Sequence, residues 1–98
     1  MADIIWTDSA LNDVERIRLG IAENSAQNAA AFVQRVFAAA DQPEMFPRMG
    51  RLVPNAKRDD IRALIVDNYR LLYVMEDEVV AILRVRYGAQ QDGDIPGV

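Results

Sequence analysis

The chain has 98 residues, a formal net charge of −4, and neither cysteine nor histidine. That length suits a single domain, residues 1–98, able to bury roughly two-thirds of its unfolded surface. The missing residue types exclude a disulfide framework, a thiolate zinc site, a thiol nucleophile and an imidazole base. Charge is unevenly spread: residues 1–47 hold three basic and seven acidic side chains, residues 48–88 hold eight and six, and the last ten hold only Asp92 and Asp94. Basic character therefore gathers in the second half. The acidic total still argues against a protein that grips nucleic acid strongly and directly through its phosphates. No leader pattern opens the chain and no apolar run approaches ~18 residues, so a soluble cytoplasmic protein without a membrane partner is expected.

Asp3–Trp6 is a short apolar run that suits a first strand. Thr7 or Ser9 can cap the helix that follows, with Asp8 near its positive end. Ala10, Leu11, Val14, Ile17 and Ile21 recur at helical spacing, with Asn12, Asp13, Glu15, Arg16 and Arg18 between them, until Glu23-Asn24. Ser25 restarts a helix whose apolar stripe runs from Ala26 through Val33 and Val36 to Ala40, and Pro43 ends or kinks it. The short connection predicts an antiparallel helical hairpin. Gln42–Asp60 reads as irregular, with Phe46-Pro47 a packed corner, Gly50 a turn glycine, and Arg48, Arg51, Lys57 and Arg58 on an exposed loop.

Three strands are expected next. Ile61–Val66 leads through an Asp67-Asn68 turn into Tyr69–Glu76, and the acidic turn Glu76-Asp77-Glu78 leads into Val79–Tyr87. Residues 1–88 form the expected folded core, and Ala89–Val98 a loose tail that a partner could order. The fold class is α+β: an N-terminal strand and a helical hairpin packed as two layers on a twisted antiparallel sheet. Both faces of the last two strands are apolar, and one hairpin covers only one face. Alternation places Arg70, Arg84 and Arg86 on the other, a candidate binding platform that no other element covers and that another chain, the C-terminal tail or a ligand must close. Tyr69 and Tyr73 fall on the helix side as core aromatics, and Trp6 is core as well. Arg62 joins the basic group only if register brings it beside Arg70. Asp59-Asp60 lacks a third ligand for a metal, and no cofactor is expected.

Several motifs occur in register. They are Ile5-Trp6-Thr7 with Ala10 and Asp13-Val14, then Phe46-Pro47 with Gly50-Arg51, then Tyr69-Arg70 with Tyr73, then Leu83-Arg84-Val85 with Tyr87-Gly88 and Gln90. Together they resemble the RelE/ParE superfamily of toxins from bacterial type II toxin–antitoxin (plasmid stabilisation) modules, over nearly the whole chain to about Gln91. The resemblance implies the same two-layer fold and a cognate antitoxin that folds along the toxin, giving a toxin–antitoxin hetero-oligomer. It also implies one of two targets. ParE-like members bind and block DNA gyrase, and RelE-like members cut mRNA on the ribosome. The ending Arg84-Val85-x-Tyr87-Gly88-x-Gln90 resembles the ParE branch, which acts by binding rather than as an enzyme.

Under that reading Arg62, Arg70, Leu72, Arg84, Arg86 and Tyr87 are the partner-binding candidates. Arginine anchors protein interfaces well. Under the nuclease reading Arg62, Arg70, Arg86 and Tyr87 would be catalytic. Guanidinium groups stabilise phosphate charge, but arginine holds its proton too tightly to act as a base and a phenol's reference pKa is ~10. A purely structural role, with the arginines paired to Asp67, Asp59 or a tail acid, stands beside both. A degenerate toxin that only binds its antitoxin is a third possibility.

Overall fold

The computed structural model describes residues 3–41, 50–53 and 60–88. Strand β1 (Asp3–Trp6) leads into helices α1 (Asp8–Ala22) and α2 (Ala26–Ala40), followed by β2 (Arg51–Leu52), β3 (Arg62–Val66), β4 (Tyr69–Glu76) and β5 (Val79–Tyr87). The strands form one sheet in the order β1-β5-β4-β3-β2. All neighbours are antiparallel except β1, which runs parallel to β5 and covers only Val79–Ile82 of it. The expected two-layer α+β architecture is thus present, with a short extra strand inside the stretch read as irregular. Pro43, Phe46, Pro47, Arg48, Lys57, Arg58 and the tail lie outside the described residues.

Thr7 caps α1 by accepting a hydrogen bond from the Ala10 N–H, and Ser25 caps α2 by accepting one from Asn28. The Thr7 hydroxyl also donates to the Ile82 carbonyl at 2.8 Å, fastening the helix start to β5. α1 and α2 lay Ala10, Val14, Phe32, Val36 and Ala40 against Leu71, Tyr73, Val80, Ile82 and Val85. Trp6 lies partly buried on this core with its ring tilted against Phe37 at 4.7 Å. Tyr69 meets Phe32 edge-on, a favoured aromatic geometry. Gly20 near the end of α1 has no such role. An added Cβ there would meet no atom within 4 Å, although glycine costs a helix about 1 kcal/mol relative to alanine.

The opposite sheet face is not open. Val53, Ile61, Leu72, Val74 and Leu83 form a second buried cluster, with Ile61, Leu72 and Val74 at 0% exposure. This overturns the expectation that the non-helical face is an uncovered platform. Leu72, expected to touch a partner, is core. The row beyond this cluster, Ile65–Arg70–Arg86, is where the face changes character, because Ile65 is 71% exposed.

Both hairpin turns place an aspartate at positive φ, Asp67 at 56° and Asp77 at 54°. Asp67 is also held by Arg35 of α2 at 2.7 Å. Asp77→Gly removes the left-handed penalty and is expected to raise stability by up to about 1 kcal/mol in urea denaturation. Asp67→Gly should gain less, since it also removes the Arg35 contact.

Candidate functional site

β5 contains one extra residue relative to β4. Leu72 pairs with Arg84 and Tyr73 with Ile82, so Leu83 is a bulge. A bulge shifts the alternation of a strand and re-aims the side chains beside it. Val80 and Ile82 before it, and Val85 after it, all enter the helix-side core. The inference from strict alternation therefore fails at Arg84. Its Nε and Nη2 donate to Asp13 Oδ2 and Oδ1 of α1, at 2.7 and 2.9 Å. The Val85 N–H donates to the same carboxylate at 3.0 Å, and Arg16 adds a further ion pair.

Asp13 thus ties α1 to β5 just past the point where β1 ends. Its side chain is 2% exposed. Burial pushes the carboxyl pKa up, but the Arg84 and Val85 hydrogen bonds and the charges of Arg84 and Arg16 outweigh it and hold the group below its ordinary value. Reading Asp13 among the polar positions of α1 missed this role. The signal was available in its spacing: Asp13 stands three residues after Ala10 and four before Ile17, inside the apolar stripe.

Arg62 is also placed elsewhere than beside Arg70. It pairs with Tyr73 on the helix side and donates to the Gly50 carbonyl at 2.8 Å. Gly50 in turn donates its N–H to the Tyr73 hydroxyl at 2.9 Å. Burial raises the Tyr73 pKa despite that hydrogen bond and the nearby Arg62 charge. Gly50 is therefore required by close approach, not by a positive φ as a turn glycine would be. Arg70 and Arg86 do come together. They are direct cross-strand partners on the face away from the helices, and both Nε atoms are buried. Arg86 is 5% exposed. Asp67, one possible structural partner for these arginines, pairs with Arg35.

Tyr87 lies across from Tyr69 on the helix side, half exposed, with the rings edge-on at 5.7 Å. Of the four residues grouped for catalysis, Arg62 is set apart at Gly50, Arg70 and Arg86 pair across the strands, and Arg86 and Tyr87 line one cleft. Two clefts meet along α1. One, of about 420 Å³, is lined by Arg16, Ile17, Tyr69, Arg84 and Tyr87 among others. The second, of about 470 Å³, shares Ile17 and Tyr69 and continues past Gly20 and Ile21 to Asn24 and Asn28. Together they make a groove whose middle is apolar and whose β5 end is rich in arginine. Among the described residues no three acidic side chains gather to hold a metal ion, and no helix is long and apolar enough to cross a membrane.

Comparison with known proteins gives this geometry a context. Residues 4–92 match the family model for the ParE toxin of the type II toxin–antitoxin system parDE. Toxin RelE2 of Caulobacter vibrioides is 33% identical over 90 residues, spanning 92% of this chain and 99% of that protein. Among solved structures, the chromosomal ParDE toxin–antitoxin system of P. aeruginosa superimposes with a TM-score of 0.76 at 18% identity, covering 89% of this chain and 96% of that one. The RelBE2 toxin–antitoxin complex of Mycobacterium tuberculosis gives 0.56 at 23% identity, covering 88% and 96%. These two likenesses concern the fold. The family model and the Caulobacter relative concern descent, and on them the chain belongs to the ParE toxin family of type II toxin–antitoxin systems, within the RelE/ParE superfamily.

Proposed function

We propose that this chain is a ParE-like toxin that inhibits DNA gyrase by binding it in the cytoplasm, and that a cognate antitoxin neutralises it in a hetero-oligomer. The observation that carries the binding reading is the separation of Arg62, which reaches the Gly50 carbonyl, from the paired Arg70 and Arg86. Cleavage through a 2′-hydroxyl needs a base, an acid and a phosphate stabiliser around one scissile bond. Arg70 and Arg86 supply the charge, but the chain has no histidine to transfer the proton. Binding makes no such demand. The surface we assign to the target is the row Ile65–Arg70–Arg86, an exposed apolar side chain beside two arginines.

The test is a supercoiling assay with gyrase from the source organism, with the chain alone and then with its antitoxin. Inhibition that the antitoxin reverses is the expected result, and Arg70→Ala should require at least about tenfold more protein. Failure of folded protein to inhibit would overturn the gyrase assignment. A second reading, ribosome-dependent mRNA cleavage, is favoured by the RelE2 name of the 33% identical relative. Its test is cleavage of mRNA on translating ribosomes. Absence of either activity in a chain that still binds antitoxin would identify a degenerate toxin.

A further inference from the structure

Each edge of a sheet leaves a row of backbone N–H and C=O groups that another strand can pair with. Here the edges are β1 and β2. β2 is short and begins with Arg51, and both features blunt an edge. β1 has no such protection: Asp3–Trp6 contains no lysine, no proline and no bulge. The Asp3 N–H donates to the Glu78 carbonyl at 3.0 Å and the Thr7 N–H to the Ile82 carbonyl at 3.1 Å. Asp3, Ile5 and Thr7 thus turn their backbone groups toward β5, and by alternation Ile4 and Trp6 turn theirs outward. Among the described residues, nothing hydrogen-bonds Ile4 or Trp6 on that outer side. The flanking side chains are apolar on both faces. Ile5 is 52% exposed on one, and on the helix side Ile4 and Trp6 are half-buried, with the partly exposed Phe37 against Trp6.

We infer that β1 pairs antiparallel with β1 of a second copy of this chain, about a two-fold axis at Ile5, joining the two sheets into one. One register satisfies three separate demands. Facing Ile4 of each copy with Trp6 of the other uses every outward backbone group of β1. The same register sets Ile5 against Ile5 at a non-hydrogen-bonded pair, where opposed side chains lie closest. It also brings Asp3, the only charge on β1, to Thr7 at the start of the other copy's α1. Thr7 is still extended there, and the helix end it caps is positive, so the carboxylate meets complementary charge. Sliding the pair by two residues sets Asp3 or Thr7 against Ile5 instead. The pairing does not use the row Ile65–Arg70–Arg86, which lies past the end of β1, and it is independent of the gyrase assignment.

Cysteine reports the pairing directly, because the chain has none of its own. Opposed Cβ atoms at a non-hydrogen-bonded pair lie within disulfide reach. Ile5→Cys in the full chain is expected to form an interchain disulfide under mild oxidation. Ile65→Cys, at a position 71% exposed on β3, is the control for random collision. Sedimentation velocity of the unaltered chain should show a dimer that grows with concentration. Ile5→Lys sets like charges against each other on the edge and should raise the dimer dissociation constant at least about tenfold. Thermal melts accompany each variant, and if Ile5→Lys melts early the cysteine comparison decides. A chain monomeric at every concentration, with Ile5→Cys cross-linking no faster than Ile65→Cys, would overturn the pairing. Ile4 and Trp6 amides slowed in hydrogen exchange only by added antitoxin would overturn it too, and give the edge to the antitoxin. Either failure leaves the result of the supercoiling assay untouched.

Discussion

Asp13→Ala is expected to destabilise the fold by about 3–5 kcal/mol, because it strands partners of a buried charge. Arg84 loses both contacts to the carboxylate, and the Val85 N–H loses its acceptor at a strand edge that β1 does not reach. An unsatisfied buried donor carries its own penalty of about 1–3 kcal/mol. A domain of this size has on the order of 5–15 kcal/mol in total, so the variant should be near the limit of folding at 37 °C. Asp13→Asn separates shape from charge. The amide oxygen can still accept from Val85, while the ion pairs with Arg84 and Arg16 are lost, and an intermediate effect is expected. Urea denaturation of the three proteins reads this directly. Full stability in Asp13→Ala would show that apolar packing and the Thr7 hydrogen bond hold α1 to β5 without the carboxylate.

The same carboxylate predicts a pH dependence of defined sign. Its folded-state pKa lies below the ordinary value, so the unfolded chain takes up the proton more readily. The contribution is complete above the unfolded pKa of about 3.9 and is lost as pH falls through the lower folded value. Between neutral pH and about pH 3 the unaltered chain should therefore lose more stability than Asp13→Asn does.

Much of this architecture was legible because local signals agreed with one another. Thr7 and Ser25 stand where the caps are, the stripes of α1 and α2 mark their buried sides, and Asp67 and Asp77 supply the turns. What could not be read was set by register. The Leu83 bulge is a single residue with no sequence mark of its own, yet it sends Arg84 to Asp13 of α1. Register also set Arg62 opposite Tyr73 instead of beside Arg70. The closed second face was missed for a different reason. Apolar alternation shows that Leu72 and Val74 need cover, but not whether the chain itself or a partner supplies it. Of the named site residues, Arg70 and Arg86 are cross-strand partners, and Arg84, Arg86 and Tyr87 share the lining of one cleft.

Gly50→Ala tests the other junction that strand register creates. A Cβ at position 50 would lie 2.8 Å from the Tyr73 hydroxyl, 2.9 Å from Tyr73 Cε1 and 2.9 Å from the Ala63 carbonyl oxygen. The last of these is backbone in β3, so relief requires moving the strand or the segment entering β2. Overpacking of this kind costs about 1–3 kcal/mol, and the upper end is expected because Tyr73 is fully buried. Displacement would also disturb two hydrogen bonds, from the Gly50 N–H to Tyr73 and from Arg62 to the Gly50 carbonyl. Tyr73→Phe alone is expected to cost about 1–3 kcal/mol by leaving the Gly50 N–H without its acceptor. The double variant distinguishes the causes. Removing the hydroxyl clears one of the three close contacts, while Cε1 and the Ala63 oxygen remain, so Tyr73→Phe should rescue Gly50→Ala only slightly. Complete rescue in a double-mutant cycle would mean that the phenol oxygen alone dictates glycine here. Little rescue would place the constraint on the approach of the backbone to β3, and with it the docking of β2 that sets Val53 into the second cluster.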